Sequence, residues 1–478
     1  MNNNKETSNK AYDVIIVGGG LSGLSSAYFI KKKYPQLSLL IIEARERIGI
    51  SKFYLIIYLV IKLILFYTNP GGRTQTIELK TSKSSNKKSK WDIGGQWICD
   101  NQTNITKLLK DLKIETYRQH KTGKKVLEVN NKLITYNSSI PSVSLSSLID
   151  LKWIVTKFNI GSRRLNPIFP FQNLLLAHHL DSVNFDQYLY SNSLSSTSRA
   201  IMEAGIKSIY GCESNQLNAL YALTNAKSIG DGTFETMADL AQDKRVKGGT
   251  QQISERLLEY ILELDLSFLP SDTMNRKINN RVLIDTQVIE ISQNEYNKDG
   301  EKVCVLTTKN TRTGQIDKYI GKKVISSIPL NQYVNIKFEP DLPMYKKNVF
   351  NNVHSGNLTK FVITYEKPFW RDKGYSGEVI SDGSILNLNE DVFNQFYENE
   401  SGKLTFNKQF PSIGPIVCMY DATNCDDEPA LVGFLAGRSS IEWADVDSIL
   451  RKNEIIDSIV RYFGDEEARN YVDFSGKL

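Results

Sequence analysis

The pattern of apolar and polar positions predicts a βαβ unit near the start of the chain. Tyr12 to Val17 and Leu37 to Ile42 are apolar runs of the kind that form buried parallel strands. Between them, Gly18 to Gly23 forms a glycine-rich turn, and Leu21 to Lys33 has a helical pattern. A strand, a glycine turn, a helix and a second strand in this order make one βαβ unit.

The rest of the chain alternates between helical and strand-like patterns. Residues 101–119 have apolar side chains at helical spacing, and residues 140–243 are mostly helical in pattern. Strand patterns return in the segments Val282 to Ile291, Val303 to Thr308, Val324 to Ile328, 358–366 and 431–436. This alternation predicts two domains threaded through each other rather than two consecutive domains.

Length and composition narrow the class of protein. A chain of 478 residues is too long for one simple core, which favours two domains. The net charge of +6 is small for this length, and the basic runs at 31–33 and 83–90 are typical of solvated surface, so no nucleic-acid partner is predicted. The first ten residues are polar and lack the apolar core of a signal peptide, which favours a cytoplasmic location.

Cysteine and histidine usage predicts neither a disulfide framework nor a metal site. The five cysteines are scattered and odd in number, which is typical of a reducing compartment. The four histidines have no metal-ligand spacing, and no nucleophile elbow is present.

The glycine turn fits the G-x-G-x-x-G fingerprint of dinucleotide-binding proteins. Gly18 permits the tight turn, Gly20 lets the backbone approach a pyrophosphate, and Gly23 allows close packing of helix on strand. The free N–H groups of the helix N-terminus favour phosphate, and Ser22 lies in that first turn. Glu43 ends the second strand, where a carboxylate accepts hydrogen bonds from ribose hydroxyls.

Further segments resemble motifs of the flavin amine oxidase family and occur in that family's order. They are Glu43-Ala44-Arg45-Glu46-Arg47-Ile48-Gly49 resumed at Gly72-Arg73-Thr74, Asp92-Ile93-Gly94-Gly95-Gln96-Trp97, Arg245 to Gln252 with Val288 in the strand that follows, and Leu358 to Tyr365 followed by Pro368-Phe369-Trp370-Arg371.

The resemblance implies an α/β fold in which an FAD-binding Rossmann-like domain of the GR2 type is interleaved with an α+β substrate domain. The implied FAD-binding parts are residues 11–115, 243–328 and the start of a third part at 456–478. The implied substrate-binding parts are residues 116–242 and 329–455. FAD is the implied cofactor, and its implied contacts are Gly18, Gly20, Ser22, Gly23, Glu43, Ala44, Arg45, Gly72, Arg73, Thr74, Gly94, Gly95, Gln96, Trp97 and Val288.

Lys360 is the catalytic residue that the resemblance implies. In the family this lysine holds a water against the flavin N5 atom, and a cation there helps oxygen to reoxidise the reduced flavin. Phe369 and Trp370 are expected to be core residues rather than substrate contacts. Tyr420 and the helical segment 201–228 are candidates for the lining of a substrate cavity.

The implied reaction is oxidative deamination of a primary amine by oxygen, which yields an aldehyde, ammonia and hydrogen peroxide, as in monoamine oxidases. A polyamine oxidase and an L-amino-acid oxidase share these motifs and stay open as alternatives. Acidic residues in the cavity would favour polyamines, and a basic residue would favour amino acids. A further alternative is a non-catalytic or misfolded fragment that arises from a gene model or pseudogene. The oligomeric state stays open.

Residues 50–70 interrupt the first family motif with a segment rich in Ile, Leu, Phe and Tyr. Its apolar stretches flank Lys62 and are shorter than the roughly 20 residues of a membrane span, so no span is predicted. Codons for Gly49-Ile50-Ser51 can contain a splice donor and those for Pro70-Gly71 an acceptor, so we interpret the segment as a translated intron. The resemblance also implies a C-terminally truncated member without a covalent flavin link, because the family's S-G-G-C-Y loop is not encoded.

Overall fold

The computed structural model describes residues 11–45, 72–137, 141–240, 242–267, 281–297, 299–383, 396–398, 404–406 and 414–476. The interruption at residues 50–70 lies outside the described residues. The chain forms two compact units, each made from two separated stretches. The first unit comprises Met1–Thr76 and Gly249–Ser355, and the second comprises Ile77–Gly248 and Gly356–Leu478. The bounds of the two units differ from those that the sequence predicts for the FAD-binding and substrate-binding parts. The assignment of those parts stays a prediction.

The strands are numbered in chain order. They are β1 Tyr12–Val17, β2 Leu39–Ile42, β3 Thr76–Lys80, β4 Lys88–Asp92, β5 Trp97–Ile98, β6 Thr116–Arg118, β7 Lys124–Val129, β8 Lys132–Tyr136, β9 Lys244–Val246, β10 Arg281–Leu283, β11 Thr286–Tyr296, β12 Lys302–Asn310, β13 Ile316–Ser326, β14 Lys337–Glu339, β15 Leu358–Thr364, β16 Tyr375–Ser381, β17 Phe396–Glu398, β18 Leu404–Phe406, β19 Cys418–Asp421, β20 Ala430–Ala436 and β21 Asp473–Gly476.

The α-helices are numbered in the same way. They are α1 Leu21–Lys33, α2 Thr103–Asp111, α3 Leu145–Arg163, α4 Leu174–Asp181, α5 Phe185–Asn192, α6 Ser196–Tyr210, α7 Ala219–Ile229, α8 Phe234–Leu240, α9 Gln251–Ser267, α10 Met344–Asn352, α11 Phe369–Asp372, α12 Arg438–Glu442 and α13 Ser448–Phe463. No helix in the described ranges is both long and apolar enough to cross a bilayer.

The first unit is built on a mixed sheet in the order β10-β2-β1-β13-β12-β11-β14. Strands β10, β2, β1 and β13 run parallel, and β12 joins β13 and β11 in antiparallel pairs. Parallel strands are buried on both faces, which explains the unbroken apolar run of β1 and β2, where Ile15 and Leu40 are fully buried. The predicted β1 and α1 have the observed bounds, and β2 begins two residues later than predicted.

The strand predicted from Val324 to Ile328 is the end of a longer strand, β13, and two other predicted elements are shortened or divided. The helix expected over residues 101–119 ends at Asp111, because Lys113 takes a positive φ of 54°, and the chain then forms β6. The strand expected from Val282 to Ile291 is divided into β10 and β11, because Asp285 takes a positive φ of 51° between them. In both cases a left-handed residue stops the element, and neither residue is a glycine that marks the break.

The second unit is built on a sheet in the order β21-β15-β20-β19-β16-β7-β8. Strand β15 lies between β20 and β21 with both pairs antiparallel, so its residues are enclosed on two sides. Helix α13 packs its apolar face on this sheet through Ile455, Ile459 and Phe463. A separate apolar cluster holds α3 to α8 together.

A buried carboxylate ties α13 to the sheet of the second unit. Glu128 on β7 accepts two hydrogen bonds from the Arg461 guanidinium, each of 2.9 Å. Its Oε2 atom also accepts a bond from the Tyr462 hydroxyl at 3.1 Å and one from the Ser381 hydroxyl at 3.1 Å. Four hydrogen bonds from three side chains therefore replace the water that this buried charge loses on folding.

Replacing Glu128 with alanine should lower the free energy of unfolding by about 3 kcal/mol or more, because the substitution leaves Arg461 near the core without its counter-charge. Urea-induced unfolding measures the change. Glu466→Ala is the matched control, since Glu466 pairs with Arg469 on an exposed surface and should cost less than about 1 kcal/mol. Equal losses in the two variants would contradict this account of Glu128.

Candidate active site

The glycine turn after β1 has the geometry that dinucleotide binding requires. Gly18 has a φ of 105°, in the region that side chains other than glycine rarely adopt. A Cβ atom on Gly23 would lie 2.0 Å from the Gly18 carbonyl oxygen, so only glycine lets α1 approach β1 this closely. Helix α1 begins after Gly20, which provides no side-chain cap, and its first N–H groups are available to an anion.

Glu43 lies at the end of β2 and binds the glycine turn directly. Its Oε2 atom accepts a hydrogen bond from the Gly19 N–H at 2.8 Å, and its Oε1 atom accepts one from the Arg45 N–H at 3.0 Å. Each carboxylate oxygen keeps capacity for a second hydrogen bond, which suits a ribose hydroxyl. The Glu43 carbonyl accepts a bond from the Thr286 N–H at 2.9 Å, which joins this edge to the start of β11, where Val288 is buried.

The first family motif resumes at Gly72 after its interruption, and Gly72 lies next to the glycine turn. Gly72 has a φ of 58°, and a Cβ atom there would lie 3.1 Å from the Gly20 Cα atom. Arg73 and Thr74 then lead toward β3, and the side chains of Ala44 and Arg73 are exposed. The first unit therefore brings the fingerprint, Glu43, Gly72 and the start of β11 into one cradle that fits a dinucleotide pyrophosphate and its ribose.

Lys360 is a buried cation in the second unit. It lies on β15 directly opposite Phe434 of β20, and it is 7% exposed. Its Nζ atom donates hydrogen bonds to the Gly94 carbonyl at 2.9 Å and to Gln96 Oε1 at 2.6 Å. The Trp97 and Phe434 rings lie 5.9 Å and 5.5 Å from Nζ, within range of cation–π attraction. The structure thus brings the predicted Lys360 together with the predicted segment from Gly94 to Trp97.

The environment of Lys360 changes its acidity. Burial lowers the pKa of Lys360 from 10.5 to about 7, because the charged form loses its hydration. The negative charge of Asp92 raises this pKa in part, and the positive charge of Arg245 lowers it further. The ammonium form therefore dominates below about pH 7, and the neutral amine dominates above it.

The loop from Gly94 to Trp97 has features that fit a bound group. Gln96 is buried, and its Nε2 atom has no hydrogen-bond partner among the residues that the structure describes. Such an unpaired donor is costly unless a ligand or water accepts from it. No atom of the described part of the chain lies within 4 Å of the position of a Cβ on Gly95, so the space beside Gly95 is open.

The segment Pro368-Phe369-Trp370-Arg371 acts as a scaffold. Phe369 and Trp370 are buried in the core of the second unit, as expected. The Arg371 guanidinium donates two hydrogen bonds to the fully buried Asp421 carboxylate, at 2.6 Å and 2.9 Å. Trp370 Nε1 donates a third at 2.8 Å, and the Thr423 N–H donates a fourth at 2.8 Å. These contacts fix the end of β19.

A cavity of about 160 Å³ lies in the second unit, next to this scaffold. Tyr420 lines it, and so do Ile201, Gly205, Ser208 and Ile209 from the helical segment that the sequence suggested. Other apolar walls come from Leu127, Tyr136, Phe234 and Ile380. Tyr420 also packs edge-on against Trp97, with ring centroids 5.2 Å apart, so one residue belongs to the cavity wall and to the surroundings of Lys360.

The charged groups of the cavity wall largely compensate one another. Lys125 and Glu378 form an ion pair of 3.0 Å, and the Asp421 carboxylate is bound by Arg371. Lys121 and Glu235 are the further charged side chains of opposite sign in this wall. The described part of the chain holds no group of three metal-ligating side chains.

Two further residues belong to the surroundings of Lys360 and are not among the predicted site residues. Arg245 is buried on β9 opposite Trp97 of β5, and its guanidinium donates to the Thr423 carbonyl at 3.2 Å. Gln119 lies just after β6, and its Oε1 atom accepts a hydrogen bond from Trp97 Nε1 at 3.0 Å. Arg245 falls within a quoted motif, whereas a lone glutamine after a short strand gives no reason to single it out.

Replacing Lys360 with methionine should change how stability depends on pH. Between about pH 7 and pH 10 the unfolded wild-type chain binds a proton at Lys360 that the folded chain releases, so the wild-type free energy of unfolding rises with pH. Relative to Lys360→Met, the wild type should gain about 4 kcal/mol over this range. Urea unfolding of the cofactor-free proteins at several pH values measures the difference.

The control for this experiment is Lys309→Met, which removes an exposed strand lysine. That variant should follow the pH dependence of the wild type, because the Lys309 side chain stays in water on folding. Parallel pH curves for Lys360→Met and the wild type would contradict the assigned burial of the ammonium.

Comparison with known proteins identifies a family for this chain. Residues 69–475 match the family model described as flavin containing amine oxidoreductase, and residues 16–52 match the NAD(P)-binding Rossmann-like domain. A probable flavin-containing monoamine oxidase A of Dictyostelium discoideum is 26% identical over 459 residues, which are 95% of this chain and 80% of that protein. The flavin-containing amine oxidase B of Bos taurus is 24% identical over 470 residues, which are 97% of this chain and 73% of that protein.

Solved structures share the fold. A wild-type putrescine oxidase bound to putrescine aligns with a TM-score of 0.72 and 22% identity, over 98% of this chain and 84% of that one. The cyclohexylamine oxidase of Brevibacterium oxydans aligns with a TM-score of 0.70 and 20% identity, over the same shares of the two chains. The glycine cradle, the buried lysine and the family match over most of the sequence lead to one conclusion: the chain belongs to the flavin-containing amine oxidoreductase family, and its cofactor is FAD.

Proposed function

We propose that this protein oxidises primary monoamines with oxygen and releases an aldehyde, ammonia and hydrogen peroxide. The observation that carries the proposal is Lys360, a lysine buried in an apolar sheet and hydrogen-bonded to the loop from Gly94 to Trp97. Bound FAD supplies the chemistry of the reaction, since it accepts a hydride equivalent from the amine and passes the electrons to oxygen.

In this proposal the first unit holds the dinucleotide part of the cofactor. The N–H groups at the start of α1 bind the pyrophosphate, and Gly18, Gly20, Ser22 and Gly23 let it approach. Glu43 accepts hydrogen bonds from the ribose through the acceptor sites that Gly19 and Arg45 leave free. The further cofactor contacts that we propose are Ala44, Arg45, Gly72, Arg73, Thr74 and Val288.

In the second unit, we propose that Gly94, Gly95, Gln96 and Trp97 contact the cofactor and that Lys360 is the catalytic cation. Two of the three N–H bonds of the Lys360 ammonium are directed to Gly94 and Gln96, and the third can hold a water molecule or donate to reduced oxygen. A positive charge at this atom favours electron transfer to oxygen, because it stabilises the developing negative charge.

The cavity wall favours a monoamine over a diamine or an amino acid. Its aromatic and aliphatic side chains suit the apolar tail of an uncharged amine, because apolar surroundings disfavour the ammonium form. Two of the three carboxylates in the wall are paired, Glu378 with Lys125 and Asp421 with Arg371, which leaves Glu235 for the distal ammonium of a diamine. The same pairing of Lys125 removes one of the cations that an amino-acid carboxylate would need.

A direct assay tests the proposal. The purified protein should be yellow, with flavin absorbance near about 450 nm. It should produce peroxide faster from benzylamine or tyramine than from putrescine or an L-amino acid. A colourless protein, or no peroxide from any of these substrates, would overturn the proposed activity, whereas peroxide from putrescine alone would overturn only the choice of monoamine.

Substituting valine for Gly95 should remove the flavin without unfolding the protein. A Cβ atom on Gly95 has no described atom within 4 Å apart from its chain neighbours, so the new side chain enters open space that we assign to the cofactor. We expect less flavin absorbance per protein and an unchanged urea midpoint for the cofactor-free form. Gly23→Ala is the contrast, because its Cβ clashes with the protein itself and should lower both quantities. Full flavin occupancy in Gly95→Val would refute this assignment.

A further inference from the structure

We propose that Gln119 is a positioning residue that holds the Trp97 indole in place and, through it, the surroundings of the Lys360 ammonium. The inference rests on the proposed function of the Lys360 site and extends it to a residue that does not bond to Lys360 and acts on it through Trp97. Gln119 lines the cavity and is buried, so its side chain belongs to the wall that faces the substrate.

The hydrogen bonds of Gln119 leave its side chain one orientation. Its Oε1 atom accepts from Trp97 Nε1 at 3.0 Å, and its Nε2 atom donates to the Asp421 carbonyl at 2.6 Å and to the His120 carbonyl at 3.2 Å. An indole nitrogen only donates and a carbonyl only accepts, so a flipped amide would lose all three bonds. The Gln119 backbone N–H is held as well, by the Asp243 carbonyl at 2.8 Å.

Asp421, whose carbonyl accepts a hydrogen bond from Gln119, is itself held rigidly. The carboxylate of Asp421 receives two bonds from Arg371 and one from Trp370 Nε1, which fixes this end of β19. The Asp421 carbonyl is therefore held in place within the second unit. Gln119 bonds to this carbonyl and to the Trp97 indole, and so it fixes the indole relative to Asp421. A rigid supporting shell of this kind is what keeps an active-site group within the narrow geometry that catalysis needs.

Trp97 lies between Gln119 and Lys360. Its ring faces the Lys360 Nζ atom at 5.9 Å, packs against Phe434 at 5.8 Å, and meets the edge of Tyr420 at 5.2 Å. Without the bond to Gln119, the indole would keep only ring contacts, which constrain rotation less than a hydrogen bond does. Rotation of the indole would change both the cation–π contact with Lys360 and the wall that Tyr420 shares with the cavity.

The first test reads the Trp97 indole directly and needs no activity. The protein has five tryptophans, so selective ¹⁵N labelling gives five indole N–H signals, and Trp97→Phe assigns the one of interest. In Gln119→Leu the Trp97 signal should shift and exchange faster with water. The Trp370 indole, which is bound to the Asp421 carboxylate, is the internal control and should stay unchanged. An unmoved Trp97 signal, or equal movement of Trp97 and Trp370, would overturn the proposal.

The second test is a double-mutant cycle on kcat/KM for amine oxidation, with Gln119→Leu, Trp97→Phe and the double variant. Gln119→Leu should lower kcat/KM roughly tenfold, through misplacement of the site. The double variant should be no slower than Trp97→Phe alone, because Gln119 acts through the indole N–H that phenylalanine lacks. Multiplicative effects of the two substitutions, or an unchanged kcat/KM in Gln119→Leu, would refute the coupling. If the wild type produces no peroxide, the proposed function fails, and the indole spectra still decide the role of Gln119.

Discussion

The constraint on which the site depends is the burial of an ammonium in an apolar sheet. A shift of the Lys360 pKa from 10.5 to about 7 corresponds to about 5 kcal/mol of free energy against the charged form. That cost is large beside the net stability of a typical domain, so nearby groups must limit it. The Gly94 carbonyl, Gln96 Oε1 and two aromatic faces do so, and the loop from Gly94 to Trp97 is therefore shaped by the lysine it surrounds.

A second buried charge, the Asp421 carboxylate, organises the residues next to the Lys360 site. Asp421 is surrounded by donors, and the elements that supply them are the segment from Pro368 to Arg371, the residue after β6 and the end of β19. The aromatic and basic residues of that segment contact the scaffold and not the cavity, which explains why a conspicuous run of Phe, Trp and Arg marks the site without lining it. The Lys360 and Asp421 clusters meet at Gln119 and Trp97, which bond to each other.

Local features of the sequence could be predicted well, because short-range physics determines them. The turn from Gly18 to Gly23 is such a feature, since Gly18 takes a positive φ and Gly23 lies too close to the Gly18 carbonyl for a side chain. Lys360 was singled out only through a motif, because its partner Gln96 lies 264 residues away in the chain. The contacts of Gln119 could not be predicted at all, since they depend on the register of β6 against β9 and on a carbonyl 302 residues away in the chain.

The first unit carries a general dinucleotide-binding motif, whereas the features specific to this chain lie in the second unit. The cradle of the first unit is generic, because a glycine turn and a carboxylate at the end of β2 suit NAD and FAD alike. The distinctive features lie in the second unit, where burial lowers the pKa of Lys360 and two carboxylates of the cavity wall, Glu378 and Asp421, are paired with cations. Both features arise from contacts between distant segments, since Lys125 pairs with Glu378 and Arg371 with Asp421, whereas the glycine turn forms within one βαβ unit and could be predicted from its sequence alone.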